Sequence, residues 1–326
     1  MMADVHAGGG FRRQAVVSAV VLVVLAVLAV LAALPIAGDA YVLGVAARMM
    51  VFALFASSLN LVLGFAGMAS LGHAVYFGVG AYTAAKLSLA GVSGFGLQLG
   101  MAGLAAAALA ALFAPLILRA SGAYLLMITL ALAQVVWGIA YGWREFTGAD
   151  DGLPGVRRPD DMLPWDISGD AGFYYLMLLL FALLVAAMLV LTRSPFGLAL
   201  VGIRENERRM AALGYPVGRY KYIACVLAGG MAGVAGAMLA WQNGFVGPSC
   251  LSVAYSATAL IMVILGGAGP VFGPVIGAFL IVALENVISG LTERWMFVLG
   301  ATYVLATLFA PEGLVGLWRR WAEHRS

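Results

Sequence analysis

The sequence contains few side chains that could catalyse a reaction or bind a metal, and they lie far apart along the chain. The three histidines, His6, His73 and His324, form no His-Glu-x-x-His pair, so neither a zinc protease nor a metal site is expected. The two cysteines, Cys225 and Cys250, allow at most one disulfide. They fall in a predicted helix and in a predicted loop, and we expect them to be unpaired.

The lysines exclude a nucleotide-hydrolysing loop within this chain. All of the 18 basic residues except Lys86 and Lys221 are arginines. A Walker A loop requires Gly-Lys-Ser/Thr, because the lysine reaches the phosphates and the hydroxyl binds Mg²⁺. Lys86 precedes Leu87 and Lys221 precedes Tyr222, so neither lysine fits. No paired catalytic set is apparent, and we expect a protein that is not an enzyme, with no catalytic residue and no cofactor.

Two glycine-rich stretches interrupt otherwise apolar segments, at 59–82 and 264–274. Irregular backbone inside a bilayer is tolerated only against protein or a water-lined cavity, and transporters build substrate sites from such broken helices. The alternative is close helix packing through small residues, which we favour for Gly229, Gly233 and Gly236. Residues 62–67 and 264–269 match at four of six positions. The candidates for a translocation path here are Asn60, Gly67, Ser70, Gly72, His73, Gly266, Gly267 and Gly269, although for His73 we favour a bond to a neighbouring helix.

Glu285 and Arg48 are ionisable residues that fall inside predicted spans. A carboxylate in a membrane segment is a functional candidate because an ionised group is costly there, so Glu285 joins the translocation-path set. A shallow, hydrated position is its alternative. Arg48 is expected to snorkel towards the interface or to pair, with Asp39 as the nearest acidic residue along the chain.

The composition identifies the class of protein that must position these residues. Of 326 residues, 63% are apolar and 10% are charged, against about 45–50% and about 25% in soluble domains. A net charge of +3 gives no basic surface for nucleic acid. We therefore expect an all-α integral membrane protein in the lipid bilayer, and no nucleic-acid partner.

The charges divide the chain into spans. A polar stretch at 142–172 holds three arginines against seven acidic residues, and one at 192–221 holds six basic residues against two acidic ones. Lys and Arg favour cytoplasmic loops, which places 192–221 inside and 142–172 outside. The prediction is a polytopic bundle of about ten transmembrane helices, with cytoplasmic tails at 1–13 and 311–326, a permease domain at 14–310, and broken helices around 60–82 and 264–274. The predicted spans are 14–38, 41–64, 65–89, 97–118, 123–141, 173–191, 222–243, 255–266, 275–288 and 295–309.

The inner loop is predicted to contain one amphipathic helix from about Leu198 to Leu213. Its apolar side chains share one face, and its charged side chains, including Arg204, Glu207 and Arg208, share another. Such a helix suits docking to a soluble partner, and a helix lying on the membrane surface is the alternative. The docking candidates are Arg204, Glu205, Asn206, Glu207, Arg208 and Gly214.

The stretch Ser58–Ala84, SLNLVLGFAGMASLGHAVYFGVGAYTA, closely resembles the signature of LivM-type permeases of the LivH/LivM family. The resemblance continues through Asp151–Gly155, Ser194–Tyr220, Val263–Gly269 and Ala310–Leu317, and covers about 80% of the chain from residue 41 onward. It implies a subunit of a bacterial ABC importer for branched-chain amino acids, located in the inner membrane. The implied partners are a LivH-like permease subunit, two LivG/LivF-like ABC ATPase subunits, a periplasmic substrate-binding protein and an amino-acid substrate.

The resemblance also implies that the inner loop is the segment that couples the permease to the ATPases. Met210–Gly214 keeps the small residues and the glycine of the Glu-Ala-Ala…Gly pattern of ABC permeases, but Glu207 is the acidic residue that would replace its glutamate. Met68 stands where the family commonly has glutamine. Urea or short amides remain alternative substrates. An ion-coupled secondary transporter and an assembly subunit without its own pore remain alternative functions.

Overall fold

A computed structural model describes residues 31–35, 38–159 and 169–291, together with residues 297, 300, 301, 304, 313, 314 and 316. The predicted tail 1–13, most of the predicted tail 311–326, most of span 14–38 and most of span 295–309 lie outside the described residues. Residues 31–35 are helical. The longer helices that follow are α1 (Ala40–Asn60), α2 (Ala74–Leu89), α3 (Phe95–Ile117) and α4 (Ala123–Gly142). The remaining helices are α5 (Arg144–Thr147), α6 (Asp170–Arg193), α7 (Pro195–Glu205), α8 (Glu207–Ala212), α9 (Val217–Asn243), α10 (Val253–Gly266) and α11 (Phe272–Leu291).

Six of these helices are long and apolar enough to cross a membrane: α1 with its continuation to Phe65, α3, α4, α6, α9 and α11. Each coincides with a predicted span to within a few residues, because an uninterrupted apolar run of about 20 residues is the dominant signal of a crossing. The shorter α10 also lies where a span was predicted. The prediction of one span over 65–89 is wrong in detail, since residues 66–73 are not helical and α2 has only 16 residues.

The core forms around α9, which packs against α1, α2 and α3. The close approach depends on small residues, because a Cβ on Gly80 would overlap the backbone of Gly233, and a Cβ on Gly236 would overlap the carbonyl oxygen of Phe77. Ala106 of α3 lies against both Gly229 and Gly233. The prediction that the glycines of this helix serve packing is confirmed.

One end of the bundle brings together residues from seven segments. A buried cluster there joins the end of α1, the end of α3, the start of α4, the end of α6, α7, the first part of α9 and the turn before α11. We call this the α7 end, defined by Leu61, Val62, Ile117, Leu125, Leu200, Cys225 and Val271. Long helices that finish here (α1, α3 and α6) alternate with long helices that begin here (α4 and α9).

The acidic stretch 142–172 folds against the opposite end. It contains α5, a 3-10 turn at Ala149–Asp151 and the strand β1 (Leu153–Pro154), and β1 pairs antiparallel with β2 (Phe245–Val246) just after α9. Nearby, Trp241 donates its indole N–H to Gln98 Oε1 at 2.6 Å. The two polar stretches of opposite charge therefore lie at opposite ends of the bundle. Residues 160–168 of the acidic stretch are outside the described part.

Candidate functional site

The first helix break begins where α1 changes its hydrogen-bond pattern. After Asn60 the chain makes a π-helical turn at Leu61–Phe65, and residues 66–73 then leave the helix. Gly67 has φ +72°, a left-handed conformation that glycine adopts without strain, and the N–H of Met68 donates back to Val62 O at 2.9 Å. Glycine and serine at this break were the signal in the sequence, and the predicted broken helix is present here.

The irregular segment 66–73 climbs from the α7 end into the bundle. Gly67 lies against the side chain of Arg204, which belongs to α7 in the inner loop. Further along the segment, the N–H of Leu71 donates to Thr129 Oγ1 in the second turn of α4 at 3.2 Å. The N–H of Ala74 donates to Ser256 Oγ at 2.9 Å, close to the start of α10 at the other end. Helix α2 thus starts inside the bundle, and hydroxyl groups satisfy backbone donors that lipid could not.

The second break contacts the first. Helix α10 ends at Gly266, and Gly267 and Gly269 have φ values of +107° and +113° before α11 begins at Phe272. The side chain of Asn60 bridges the two breaks, because Oδ1 accepts from Gly269 N at 3.0 Å and Nδ2 donates to Pro270 O at 3.2 Å. The two breaks, whose segments 62–67 and 264–269 match at four of six positions, are therefore neighbours in the structure.

The glycines of the second break are held by close backbone contacts. A Cβ on Gly266 would overlap Gly273 O, and the backbone of Gly313 lies against Gly267. Gly266 consequently has no room for a side chain, which fits the packing alternative as well as a path. Gly269 is different, since the nearest atom to its Cβ position is Arg204 Nη1 at 3.4 Å.

Ser70, Gly72 and His73 form a separate group, further from the α7 end than the contact between the breaks. His73 is 2% exposed, its Nε2 lies 2.9 Å from Ser58 Oγ, and its ring stacks on Phe55 with centroids 5.8 Å apart. This is the bond to a neighbouring helix that the sequence allowed. Ser70, His73 and Thr129 also border a small cavity with room for about one water molecule, together with Val62, Met68, Ala69, Tyr76, Ile117, Leu125 and Cys225. Cys225 and Cys250 are unpaired and buried.

The inner loop contains two helices, and the prediction of one helix from Leu198 to Leu213 is wrong. Asn206 has φ −157° and ψ +95°, and its Oδ1 accepts from Arg209 N at 2.9 Å as the N-cap of α8. An asparagine side chain that bonds the backbone in this way competes with the helix and restarts it. Leu200 and Ile203 of α7 are buried, as the apolar face predicted.

The charged residues of the inner loop do not share one free face. Arg204 Nη1 donates to the carbonyl oxygen of Gly64, in the π-helical turn. Glu207 Oε2 accepts from Lys221 Nζ at 2.6 Å, which ties α8 to α9. Glu205, Arg208 and Gly214 are exposed, and Gly214 has φ +86° in the turn before α9. Arg204 therefore connects the inner loop to the first break, a contact that the helical-wheel argument missed.

Glu285 lies apart from both groups and pairs with Arg48. Arg48 Nη2 and Glu285 Oε1 are 3.1 Å apart, between α1 and α11. The suggestion that Arg48 pairs with Asp39 is therefore wrong, because the packing of α11 on α1 brings in a carboxylate 237 residues away. Thr129 and Ser256 were also missed, and the only signal for them was a hydroxyl within an apolar helix.

Comparison with known proteins gives consistent matches over most of the chain. Residues 41–307 match the family model for the permease component of the branched-chain amino acid transport system. The high-affinity branched-chain amino acid transport system permease proteins LivM of Escherichia coli (strain K12) and Salmonella typhimurium (strain LT2) are each 31% identical over 299 residues, covering 84% of this chain and 70% of the relative. A probable branched-chain amino acid transport permease protein LivH of Methanocaldococcus jannaschii is 27% identical over 218 residues, covering 63% of this chain and 69% of the relative. No solved structure matches the chain.

Proposed function

This chain belongs to the branched-chain amino acid transport permease family, and we propose that it is the LivM-type subunit of a bacterial inner-membrane importer for branched-chain amino acids. As a family member it is a multi-pass membrane protein and a transport subunit. The observation that carries the proposal is the continuous match of residues 41–307, which includes both helix breaks and the inner loop. Urea and short amides are the alternative substrates within the same class of importer.

The proposed topology has ten transmembrane helices, with both termini in the cytoplasm and the α7 end facing the cytoplasm. Long helices that finish at the α7 end alternate with long helices that begin there, and the basic stretch 192–221 lies at the α7 end while the acidic stretch 142–172 lies at the other. This arrangement agrees with the preference of Lys and Arg for cytoplasmic loops. The permease domain then spans 14–310, with cytoplasmic tails at 1–13 and 311–326.

Energy enters this subunit from partner ATPases in the proposed mechanism. Neither lysine belongs to a Walker A loop, so two LivG/LivF-like ATPases would bind and hydrolyse ATP. The exposed side chains of Glu205 and Arg208, with the turns at Asn206 and Gly214, form the proposed docking surface. Docking there would bias the permease between conformations to the extent that the ATP-bound partners prefer one of them.

Arg204 and Glu207, which are also exposed, would belong to the docking surface and would in addition transmit the movement of α7 and α8. Arg204 bonds Gly64 in the first break, and Glu207 bonds Lys221 at the start of α9. A shift of either short helix therefore pulls on a transmembrane helix through a hydrogen bond with a charged partner. The segments that would respond contain the proposed path residues Asn60, Gly67, Ser70, Gly72, His73, Gly266, Gly267 and Gly269.

A LivH-like permease subunit and a periplasmic binding protein complete the proposed assembly. The decisive experiment is uptake of radiolabelled leucine by proteoliposomes that hold this chain with its LivH-like partner and both ATPases. Uptake that requires internal ATP and external binding protein supports the proposal. Stimulation of ATP hydrolysis by urea or an amide, without leucine uptake, would replace the substrate and keep the importer. Uptake driven by an ion gradient without ATP would contradict the coupling mechanism and favour a secondary transporter.

A further inference from the structure

The Arg48–Glu285 pair lies well inside the membrane-spanning helices. Arg48 is 12 residues before the end of α1 and Glu285 is 13 residues after the start of α11. At 1.5 Å per residue, both lie roughly 18–20 Å from the α7 end, in a hydrocarbon layer about 30 Å thick. From the opposite helix ends the distances are shorter, roughly 9–12 Å, because Arg48 is 8 residues after the start of α1 and Glu285 is 6 residues before the end of α11. The pair therefore lies within the spans, nearer to the end opposite the α7 end.

The pair is not enclosed by the protein. The side chains are 38% exposed for Arg48 and 24% exposed for Glu285, and one hydrogen bond, from Nη2 to Oε1, joins them. An ionised group that faces hydrocarbon is disfavoured, so charged residues in membrane helices face water, a polar cavity or the interior of an assembly. The open side of the pair consequently marks a face of α1 and α11 that is turned away from lipid.

The two charges are complementary to those of a free amino acid. A guanidinium has five N–H donors in a fixed fork that matches a carboxylate, and a carboxylate has acceptor positions for an ammonium group. A zwitterion that enters between the two side chains exchanges their single hydrogen bond for one ion pair at each end. Urea and amides, which carry no charge, could not make this exchange.

An aromatic surface lies beside the pair. The guanidinium of Arg48 lies 5.6 Å from the centroid of the Phe52 ring, and Phe52 contacts Tyr255 with centroids 5.9 Å apart. Tyr255 is half-buried and belongs to α10. An aliphatic side chain on the zwitterion would find apolar contact area within reach of the charges.

From this geometry we propose that Arg48 and Glu285 form a transient binding site for an α-amino acid zwitterion, with Arg48 holding the α-carboxylate and Glu285 the α-ammonium group. This proposal rests on the proposed importer function and narrows its substrate to amino acids over amides. The resting ion pair is the empty state of the site, and each transport cycle opens and re-forms it.

The test uses the complete importer in proteoliposomes, with leucine uptake and photo-leucine labelling as separate measurements. Arg48→Gln and Glu285→Gln should each lower ATP-dependent leucine uptake about ten-fold or more, because each removes a charge-assisted contact with the substrate. The double variant Arg48→Gln/Glu285→Gln decides between two roles. A purely structural pair predicts recovery when both charges are removed, whereas a binding site predicts continued loss.

Photo-leucine should label the wild-type chain near Phe52 or Tyr255, and the labelling should decrease in Arg48→Gln. The control is Arg144→Gln, which breaks the exposed 3.7 Å pair with Asp151 outside the spans and should leave uptake and labelling unchanged. Recovery in the double variant, unaffected uptake in the single variants, or labelling confined to other segments of the chain would each overturn the zwitterion site. Absence of ATP-dependent uptake in the wild type would instead contradict the importer function itself.

Discussion

Arg204 provides the sharpest test of how the inner loop acts on the membrane helices. Its guanidinium donates to the carbonyl oxygen of Gly64, and its aliphatic stem lies against Gly67, so Arg204→Ala removes the direct side-chain link between α7 and the first break. A hydrogen bond from a charged group contributes about 1.5–3 kcal/mol. If the bond exists in one transport conformation only, its loss shifts the equilibrium between conformations by roughly 10- to 150-fold.

The assay is the number of leucine molecules imported per ATP hydrolysed by the reconstituted importer. Arg204→Ala should lower this ratio at least about ten-fold, while the complex still assembles and hydrolyses ATP. Arg204→Lys keeps the charge with a single flexible donor and should give an intermediate ratio. The control is Arg119→Ala, which removes an exposed arginine between α3 and α4 at the same end. An unchanged ratio in Arg204→Ala would refute the link, and so would an equal decrease in both variants.

Three further variants test the packing and the helix ends. Gly236→Ala should lower the free energy of unfolding of the detergent-solubilised protein by about 1–3 kcal/mol, because the added Cβ would overlap the carbonyl oxygen of Phe77. Gly230→Ala should leave the free energy of unfolding unchanged, because the nearest atoms to its Cβ position are 3.5 Å away. Asn60→Ala removes both hydrogen bonds between the breaks and should reduce uptake. Asn60→Asp should reduce uptake at least as much, because an ionised carboxylate would be buried against the carbonyl oxygen of Pro270; unchanged uptake in Asn60→Ala would contradict the bridge. Asn206→Ala should weaken the start of α8 by about 1 kcal/mol and speed its hydrogen exchange, whereas Asn206→Ser should keep the cap.

The long helices were predictable because their signal is local. A run of about 20 apolar residues identifies a crossing without knowledge of what packs against it, and α3, α4 and α6 therefore lie within a few residues of their predicted bounds. Glycine and proline clusters identified both breaks in the same way. The π-helical turn at Leu61–Phe65 had no such signal, since it is an adjustment of the hydrogen-bond ladder to contacts with other segments.

The partners of polar side chains were not predictable, because they depend on which helices become neighbours. Arg48 has an acidic residue nine positions away, yet it pairs with Glu285. Thr129 and Ser256 belong to helices with ordinary apolar composition. Thr129 accepts a hydrogen bond from the N–H of Leu71 in the irregular segment, and Ser256 accepts one from the N–H of Ala74 at the start of α2. A hydroxyl in an apolar helix is common, so its role becomes visible only when the segment beside it lacks helical hydrogen bonds.

The position of Arg204 explains why the two breaks and the inner loop need to be considered as one unit. Asn60 joins the first break to the second, and Arg204 joins the first break to α7, so three segments separated by about 140 and 210 residues meet through two side chains. Each contact is made to backbone carbonyl or amide groups that a regular helix would have used internally. A regular helix at either break would leave these two side chains without their partners at this end of the bundle. The irregular backbone is therefore what allows α7, through Arg204 and Asn60, to be connected to the ends of both α1 and α10.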